Sequence, residues 1–215
     1  FGMRCPDPQL PVPLIEDAAQ AAGWAPPARL GVITAASFYP TKTLSAAGDA
    51  GLVATDDPQL AQSMRLLANH GGVPGQPHLH QRVAGHVGLN SRLDAVQAAV
   101  LGVHMGDLPR RVARRRAIAA AYDQALPAGC TALDRHSGDP IHHYILRSPR
   151  RDRLGAWLAE RLVSTAVYYP RPLSAQPALQ PQAPARARAR GQNAGRHLAV
   201  VPVANRVVRD VPLQQ

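Results

Sequence analysis

The chain is poor in lysine, cysteine and aromatic residues, and it has no long apolar run. Lysine occurs once, at Lys42, among 24 basic residues, so the remaining 23 are arginines. A guanidinium stays protonated, whereas a neutral lysine amine attacks carbonyl carbons and forms imines. The plain alternative is a surface lysine that survives in an arginine-biased sequence. The residues around Lys42 therefore decide between a chemical role and a chance occurrence.

The small number of cysteines and the lack of a long apolar run argue against a disulfide-rich protein and against a membrane protein. Cys5 and Cys130 lie far apart without the spacing of a metal site, which indicates reduced thiols rather than a disulfide framework. No run approaches the roughly 18 apolar residues of a membrane helix, and residues 1–6 lack a signal-peptide core. We therefore expect no membrane partner and a cytoplasmic location.

Positive charge can attract nucleic acid and histidines can bind metal ions, but we expect neither ligand for this chain. The net charge of +10 and a pI near 10.9 would attract nucleic acid or phosphorylated small molecules. The densest basic block, residues 110–116, falls in a helical pattern typical of a solvated face, and aromatics at 4% offer little surface for base stacking. We expect no nucleic-acid partner. We also expect no metal site at the histidines without nearby cysteine or acidic partners, namely His78, His80, His86, His136, His142 and His143.

Short apolar runs alternate with helical patterns, which predicts an α/β fold. Residues 12–15 are predicted to form a strand that leads to Asp17, and residues 32–39 a strand that ends just before Lys42. Residues 51–55 form a third predicted strand. Open α/β sheets bind ligands at the carboxyl ends of their strands, so Asp17 and Lys42 are candidate site residues.

Helical patterns follow the third strand. Asp57 is a predicted N-cap with Pro58 in the first turn, and Gly71-Gly72 stops the helix. Its predicted buried stripe comprises Leu60, Met64 and Leu67. Residues 72–87, rich in glycine, proline and histidine, are predicted to form a long loop of the kind that often carries function.

Two further helices are predicted before the next break. Ser91 and Asp94 form a Ser-x-x-Asp capping box that opens the first of them. Its apolar face is predicted to comprise Leu93, Val96, Val100 and Val103. The second helix is predicted from about Pro109 to Leu126, ahead of the Pro127-Ala-Gly129 break.

The α/β pattern then starts again and predicts a second, smaller unit. Strands are predicted near residues 144–146 and 163–168, with a helix near residues 153–162 between them. The inward residues of that helix are predicted to be Leu154, Trp157, Leu158 and Leu162. We predict a large domain of residues 1–112 and a small C-terminal domain of residues 113–215.

Motifs in a defined order carry a family resemblance. Glu16-Asp17-Ala18-Ala19-Gln20 is followed by Ser37-Phe38-Tyr39-Pro40-Thr41-Lys42 and by Gly48-Asp49-Ala50-Gly51. Together they resemble the DegT/DnrJ/EryC1/StrS family of sugar aminotransferases, which are pyridoxal-phosphate enzymes of fold type I. The order is specific, whereas each motif alone would be weak. The resemblance continues at Asn69-His70-Gly71, residues 88–93, residues 97–101, Tyr168-Tyr169-Pro170 and residues 200–203.

The resemblance implies a partial fold type I large domain with a mostly parallel sheet, followed by a small C-terminal α/β domain. It also implies roles for individual residues. Pyridoxal phosphate needs an amine, a carboxylate for its protonated pyridine nitrogen, and donors for its phosphate. Lys42 is the one lysine for the imine, and Asp17 matches the family's partner for the pyridine nitrogen. Ser37 matches the phosphate-binding serine, and Gln20 matches a residue beside the ring.

Asn90 matches the asparagine that resembling enzymes extend across a homodimer to the partner's cofactor. Each assignment has a plainer alternative. Asp17 and Asn90 are also candidate helix N-caps. Ser37 is also a candidate turn residue, and Gln20 a candidate solvent-facing helix residue.

The reaction implied by the resemblance is a ping-pong transamination. An amino donor, usually glutamate in this family, displaces Lys42, and the freed Lys42 moves a proton between the donor Cα and the cofactor C4′. The reverse steps aminate a keto-sugar linked to a nucleotide. A diphosphate-bearing substrate also suits the surplus of arginine.

The chain departs from the family pattern in ways that keep two other functions open. Resembling enzymes carry a longer N-terminal part, with a Gly-Thr/Ser turn for the phosphate and an aromatic that stacks on the ring. Gly48-Asp49-Ala50-Gly51 replaces a Gly-Asp-Gly-Gly pattern, and Tyr168 stands where many relatives have histidine. The alternatives are a truncated, catalytically incompetent relative that acts as a binding or dimerising subunit, and a basic anion-binding module.

Overall fold

The computed structural model describes residues 2, 9–23, 31–73, 87–171 and 175–179, and the backbone of residues 197–200. The chain divides into two compact units. The first contains Gly2–Ala113 and Ser137–Pro140, and the second contains Phe1, Arg114–His136 and Ile141–Gln215. The roles assigned to the two domains from the sequence stay predictions.

The sheet of the first unit has three described strands: β1 (Ile15–Asp17), β2 (Ile33–Ser37) and β3 (Gly51–Ala54). Their order is β1-β2-β3. The β1–β2 pair is parallel and the β2–β3 pair is antiparallel, so the described pairing is mixed where we expected a mostly parallel sheet. Strands β2 and β3 lie within the predicted segments, whereas β1 overlaps its predicted segment, residues 12–15, only at Ile15.

The strand register brings two predicted site residues to one edge of the sheet. Asp17, the last residue of β1, lies opposite Ala35, and β2 ends two residues later at Ser37. Ser37 in turn lies opposite Gly51 at the start of β3. A Cβ on Gly51 would lie 2.8 Å from the Ala36 carbonyl oxygen, so the absence of a side chain permits this close pairing.

Helix α1 (Pro58–Ala68) begins where the sequence predicted. The Asp57 carboxylate accepts hydrogen bonds from the backbone N–H groups of Gln59 and Leu60, at 2.7 and 3.2 Å. These bonds satisfy two of the amides that a helix start leaves without partners. The predicted N-cap is therefore confirmed.

The other end of α1 is set by Gly71. Its φ of +74° suits glycine, and its N–H donates to the Leu66 carbonyl at 2.7 Å. Leu66 is also the buried residue of this helix, whereas Leu67 is 43% exposed. Because successive helical residues lie about 100° apart, Leu66 facing inward turns Leu67 towards solvent. The prediction of Leu67 as an inward residue is wrong.

A single helix, α2 (Ala95–Gln124), replaces the two helices predicted on either side of Pro109. Leu101 and Val112, before and after the proline, are both buried in the first unit. Proline removes one backbone donor and strains the preceding turn, but burial on both sides holds the helix together. The predicted helix start at Pro109 is therefore wrong.

The N-cap of α2 is Asp94. Its carboxylate accepts from the N–H groups of Val96 and Gln97 at 2.8 and 3.3 Å, directly before the helix begins. Ser91 lies four residues before the first helical residue and does not take part in this cap. The predicted capping box is therefore wrong, because a single carboxylate next to the helix already satisfies the exposed amides.

Two substitutions separate the roles of these residues. We expect Asp94→Ala to lower the free energy of unfolding by about 1 kcal/mol, because two helix amides lose their acceptor. Ser91→Ala should leave that free energy nearly unchanged. Urea denaturation of the two variants and of wild type measures the difference. An equal loss in both variants would contradict the cap assignment.

Among the described residues, the second unit contains a four-stranded antiparallel sheet of order β4-β5-β7-β6, the last residues of α2 and a further short helix. The strands are β4 (Thr131–Ala132), β5 (Tyr144–Arg147), β6 (Thr165–Ala166) and β7 (His197–Val200). Helix α3 (Arg151–Glu160) lies between β5 and β6 in sequence. The predicted strand–helix–strand order of this unit is confirmed.

The core of this unit corrects part of the predicted pattern of α3. Leu154 and Leu158 pack against the core as predicted, but Trp157 is 49% exposed and Leu162 is 95% exposed. Leu162 lies beyond the helix end with φ of +58°, and the Trp157 ring stacks under the Arg161 guanidinium at 3.8 Å. The buried residues of the core are Ala119, Ile141, Tyr144 and Leu146.

Tyr144 is the largest fully buried side chain among the described residues, and its hydroxyl has a charged partner. The hydroxyl donates to Asp123 at 2.9 Å, and Arg135 forms an ion pair with the same carboxylate. Burial, and then the Asp123 carboxylate, raise the pKa of Tyr144 to about 12.

This raised pKa predicts a loss of stability at alkaline pH. The folded-state pKa lies above the unfolded value of about 10, so the stabilisation is complete below about pH 10 and is lost as the pH rises towards 12. Tyr144→Phe should remove this contribution to the pH dependence. Free energies of unfolding between about pH 9 and about pH 12 measure it. If the free energy of unfolding depended on pH in the same way in wild type and in Tyr144→Phe, ionisation of Tyr144 would not be coupled to stability.

Candidate functional site

Lys42 lies in a loop that is tied to the end of β2. Its N–H donates to the Tyr39 carbonyl at 2.8 Å. The Ala46 N–H donates to the Phe38 carbonyl at 2.7 Å, and the Phe38 N–H donates to Ala50 at 2.8 Å. The loop therefore leaves the strand and returns to it within a few residues, which fixes the backbone at the lysine.

The residues after Lys42 are buried against α2. Thr43, Leu44, Ser45 and Ala46 are all buried, and Leu44 and Ala46 form one apolar cluster with Leu101. This packing anchors the lysine loop on a long helix. A loop held in this way presents Lys42 in a defined position.

Polar contacts from α2 add to this anchoring. The Gln97 side-chain oxygen accepts the Ala47 N–H at 2.9 Å, and His104 Nδ1 lies 2.6 Å from the Ser45 carbonyl oxygen. Because a carbonyl oxygen only accepts, His104 Nδ1 is the donor. Gln97 belongs to a motif that the sequence singled out, but its bond to the lysine loop joins residues fifty positions apart and was not predicted.

The Lys42 side chain is half-buried. Within the part of the chain that the structure describes, its ammonium forms no hydrogen bond and no ion pair. The amine is thus held near the carboxyl edge of the sheet without being used for structure. This arrangement suits a lysine that reacts with a ligand.

Asp17 holds a turn rather than a helix. Its carboxylate Oδ1 accepts the Ala19 N–H at 2.9 Å, and residues 18–23 form turns. The alternative role as a helix N-cap is therefore wrong. Among the described residues, the second carboxylate oxygen of Asp17 has no hydrogen-bond donor, which leaves it available to a ligand.

Gln20 lies three residues further along this turn and is half-buried. Its side-chain oxygen is buried and has no hydrogen-bond partner among the described residues. The alternative position on a solvent-facing helix is therefore wrong. A buried acceptor without a partner costs free energy, so a donor from a ligand or water is expected there.

Ser37 is the last residue of β2, directly before the loop that leads to Lys42. Its hydroxyl oxygen accepts the Tyr39 N–H at 3.4 Å, a long bond. The sequence offered a turn role and a phosphate-binding role for this serine, and the long bond leaves the hydroxyl able to serve a ligand. Its phosphate contact stays a prediction.

Asn90 lies in a bridge between two of the motifs. It pairs with Asn69 in an antiparallel bridge, and the Leu89 N–H donates to the Leu67 carbonyl at 2.8 Å. A Cβ on Gly88 would lie 2.2 Å from the Leu67 carbonyl oxygen, so this approach requires glycine. The two motifs thus form one structural element.

The alternative role of Asn90 as a helix N-cap is wrong, because Asp94 caps α2. Asn90 is exposed, and its side-chain oxygen accepts from Arg92 Nε at 3.3 Å. The structure brings Asp17, Ser37 and the Lys42 loop to one sheet edge. It describes no contact between Asn90 and that group.

Arg92 is the residue that the sequence reasoning missed. It lies inside the Gly88–Leu93 motif, and its contacts to both asparagines of the bridge are described by the structure. The sequence held one sign of this pairing, because the motifs at residues 69–71 and 88–93 each contain an asparagine. Their pairing across residues 69–90 depends on the fold.

Some predicted features lie outside the described residues, namely Cys5, His78, His80 and His86. In the described ranges, no three histidine, cysteine, aspartate or glutamate side chains group as a metal site. Nor does any described helix have the length and apolar character needed to cross a membrane.

The structure thus places a lysine on an anchored loop and a strand-end carboxylate at the same edge of the sheet. Residues 8–207 match the sequence model of the DegT/DnrJ/EryC1/StrS aminotransferase family. The chain belongs to this family. The resemblance found in the motifs and the fold class are thereby confirmed.

Individual relatives agree with this assignment. A pleiotropic regulatory protein from Geobacillus stearothermophilus is 41% identical over 76% of this chain and 45% of its own length. The dTDP-3-amino-3,4,6-trideoxy-alpha-D-glucose transaminase of Streptomyces venezuelae is 38% identical over 80% of this chain and 46% of its own length. The crystal structure of S. venezuelae DesV in complex with a ketimine intermediate superposes with a TM-score of 0.75 at 34% identity, covering 87% of this chain and 52% of that chain.

The chain spans about half the length of the relatives that it matches. The match of the family model to residues 8–207 includes the lysine loop, the strand-end aspartate and the asparagine bridge. The similarity to the relatives does not extend to the remaining part of those proteins.

Proposed function

We propose that this chain forms the lysine-bearing part of a pyridoxal-phosphate-dependent aminotransferase that acts on a nucleotide-linked keto-sugar, with glutamate as the amino donor. One observation carries the proposal: Lys42, the only lysine, lies on an anchored loop at the same sheet edge as Asp17. The substrate class is supported by the dTDP-sugar transaminase among the relatives.

The residues present fit the cofactor. Lys42 would hold it covalently, Asp17 would face its pyridine nitrogen, Ser37 would bind its phosphate and Gln20 would lie beside its ring. The buried oxygen of Gln20 without a donor and the free carboxylate oxygen of Asp17 are the two observations that support this fit. When bound, pyridoxal phosphate supplies an electron sink for the carbon that loses a proton.

The protein residues perform the remaining tasks. Lys42 Nζ would move a proton between the donor Cα and C4′ of the cofactor. The Asp17 carboxylate at the sheet edge would favour a protonated pyridine nitrogen. The packing of Leu44 and Ala46 against Leu101 would keep the Lys42 loop in place during this proton transfer.

We also propose a homodimer, on the basis of the outward face of α2. Residues 95–106 contain no charged side chain. Val96 is 66% exposed and Val103 is 77% exposed, and an added Cβ on Gly102 or Gly106 would meet nothing within 4 Å. A helix that is apolar on its solvent side normally packs on another protein surface. A second copy of this chain is the occupant we propose.

A mixing experiment tests the site and the dimer together. We expect Asn90→Asp and Lys42→Ala each to abolish release of 2-oxoglutarate from glutamate. In the first variant a carboxylate faces an anion, and in the second the amine is missing. Mixed dimers should regain part of the wild-type activity, because one of their two sites has both intact residues.

The control for this experiment is subunit exchange, measured with differently tagged chains. Analytical ultracentrifugation of wild type gives the oligomeric state. Exchange without recovered activity would place Asn90 in its own chain's site or outside the site. A purely monomeric wild type would refute the proposed dimer.

A further inference from the structure

Arg92 connects the two asparagines of the bridge. Its Nη1 donates to Asn69 Oδ1 at 3.2 Å, and its Nε donates to Asn90 Oδ1 at 3.3 Å. Among the described residues, no carboxylate pairs with Arg92. The guanidinium therefore donates hydrogen bonds to two neutral amide oxygens, and no described carboxylate neutralises its positive charge.

These bonds determine which way each amide points. A guanidinium only donates, so both asparagines must turn their oxygen towards Arg92. Asn69 then directs its Nδ2 to the Gly72 carbonyl at 3.1 Å and is satisfied on both sides. Asn90 has its oxygen bound in the same way, so its Nδ2 faces away from Arg92. In the described part of the chain this NH2 group has no acceptor.

We propose that Arg92 and Asn69 are positioning residues that orient the Asn90 amide so that its NH2 group donates to an anion, the phosphate of pyridoxal phosphate in the partner subunit. This inference rests on the proposed function, in which Asn90 serves the neighbouring site. Without Arg92, the Asn90 amide is free to rotate and to present its oxygen. An oxygen facing a phosphate repels it instead of binding it.

The planar fork of arginine is required for this task. Nε and Nη1 diverge at a fixed angle, so one side chain holds two amide oxygens at once. Lysine at this position would keep the charge but would lose the fixed pair of donors. Arg92→Lys therefore separates orientation from charge.

The test compares pyridoxal phosphate with pyridoxal, which lacks the phosphate. Absorbance titrations give the affinity of wild type, Arg92→Lys, Asn90→Ala and the double variant for each compound. We expect Arg92→Lys and Asn90→Ala each to weaken binding of pyridoxal phosphate about tenfold or more, with little change for pyridoxal. The double variant should be no weaker than Asn90→Ala, because both changes remove the same contact.

Controls separate this role from a structural one. Arg114→Lys, an exposed arginine on α2, should bind both compounds like wild type, and thermal unfolding checks that every variant is folded. Asn69→Ala should show a smaller loss than Arg92→Lys in the same direction, since Arg92 keeps its bond to Asn90.

The other outcomes each overturn a defined statement. Additive losses in the double variant would mean that Arg92 acts independently of Asn90, which refutes positioning. Equal losses for pyridoxal and pyridoxal phosphate would show a structural role and refute it as well. If wild type bound pyridoxal as tightly as pyridoxal phosphate, that result would contradict the proposed cofactor site and also the proposed contact between Asn90 and the phosphate.

Discussion

Lys42→Ala is expected to abolish covalent capture of pyridoxal phosphate by this protein. In wild type, borohydride should fix a pyridoxyl group on Lys42, because no other lysine exists in the chain. Lys42→Arg is the matched control, since it keeps the positive charge but cannot form the bond. Both variants should remain folded, because the Lys42 ammonium has no partner among the described residues. Peptide mapping after reduction, together with visible absorbance before it, measures the effect.

The α-amino group of the polypeptide is the competing amine in this experiment. A peptide map that shows the α-amino group modified and Lys42 unmodified, in a wild-type sample with visible absorbance, would refute the covalent role of Lys42. Absence of absorbance in wild type would instead favour the alternative of a binding or dimerising subunit. The two results are therefore distinguishable in one preparation.

Features with short-range causes were predicted from the sequence. Asp57 followed by Pro58 fixed the start of α1, because an N-cap needs only amides two and three residues away. The strands that end near Asp17 and Lys42 were likewise visible as apolar runs bounded by polar residues. Their placement at one sheet edge follows from the parallel pairing of β1 with β2.

Features that depend on distant packing were missed. The continuation of α2 through Pro109 requires burial of Leu101 and Val112, which no local pattern reveals. Leu162 was assigned to an interior face, yet it is exposed, and the predicted apolar face of α2 includes Val96, which is exposed as well. Periodicity identifies an apolar face but does not say whether the same chain covers it.

The candidate site divides in the same way. Motif spacing indicated Asp17, Lys42 and Asn90 as candidates. The proposed orientation of Asn90 depends on Arg92 and on Asn69, which lies twenty-three residues before Arg92 in the chain. The Gln20 oxygen without a partner is likewise a property of burial, not of sequence. Residue types are therefore predictable from the sequence, whereas their hydrogen-bond partners require the fold.

Asp17→Asn is expected to slow transamination by about 100-fold or more while leaving the fold intact. The asparagine side chain has the same shape, and its oxygen still accepts the Ala19 N–H that Asp17 binds at 2.9 Å. What disappears is the negative charge at the end of β1. Without that charge the pyridine nitrogen is less readily protonated, so a proton is removed from the donor Cα less easily.

The matched control for this change is Asp134→Asn, an exposed aspartate of the second unit that should alter neither rate nor stability. Rates of 2-oxoglutarate release at saturating glutamate and cofactor isolate the catalytic effect from weaker binding. Urea denaturation should give a free energy of unfolding for Asp17→Asn within about 0.5 kcal/mol of wild type. A wild-type rate at saturating cofactor would show that Asp17 only holds its turn, and a large loss of stability would show that its charge serves the fold rather than the pyridine nitrogen.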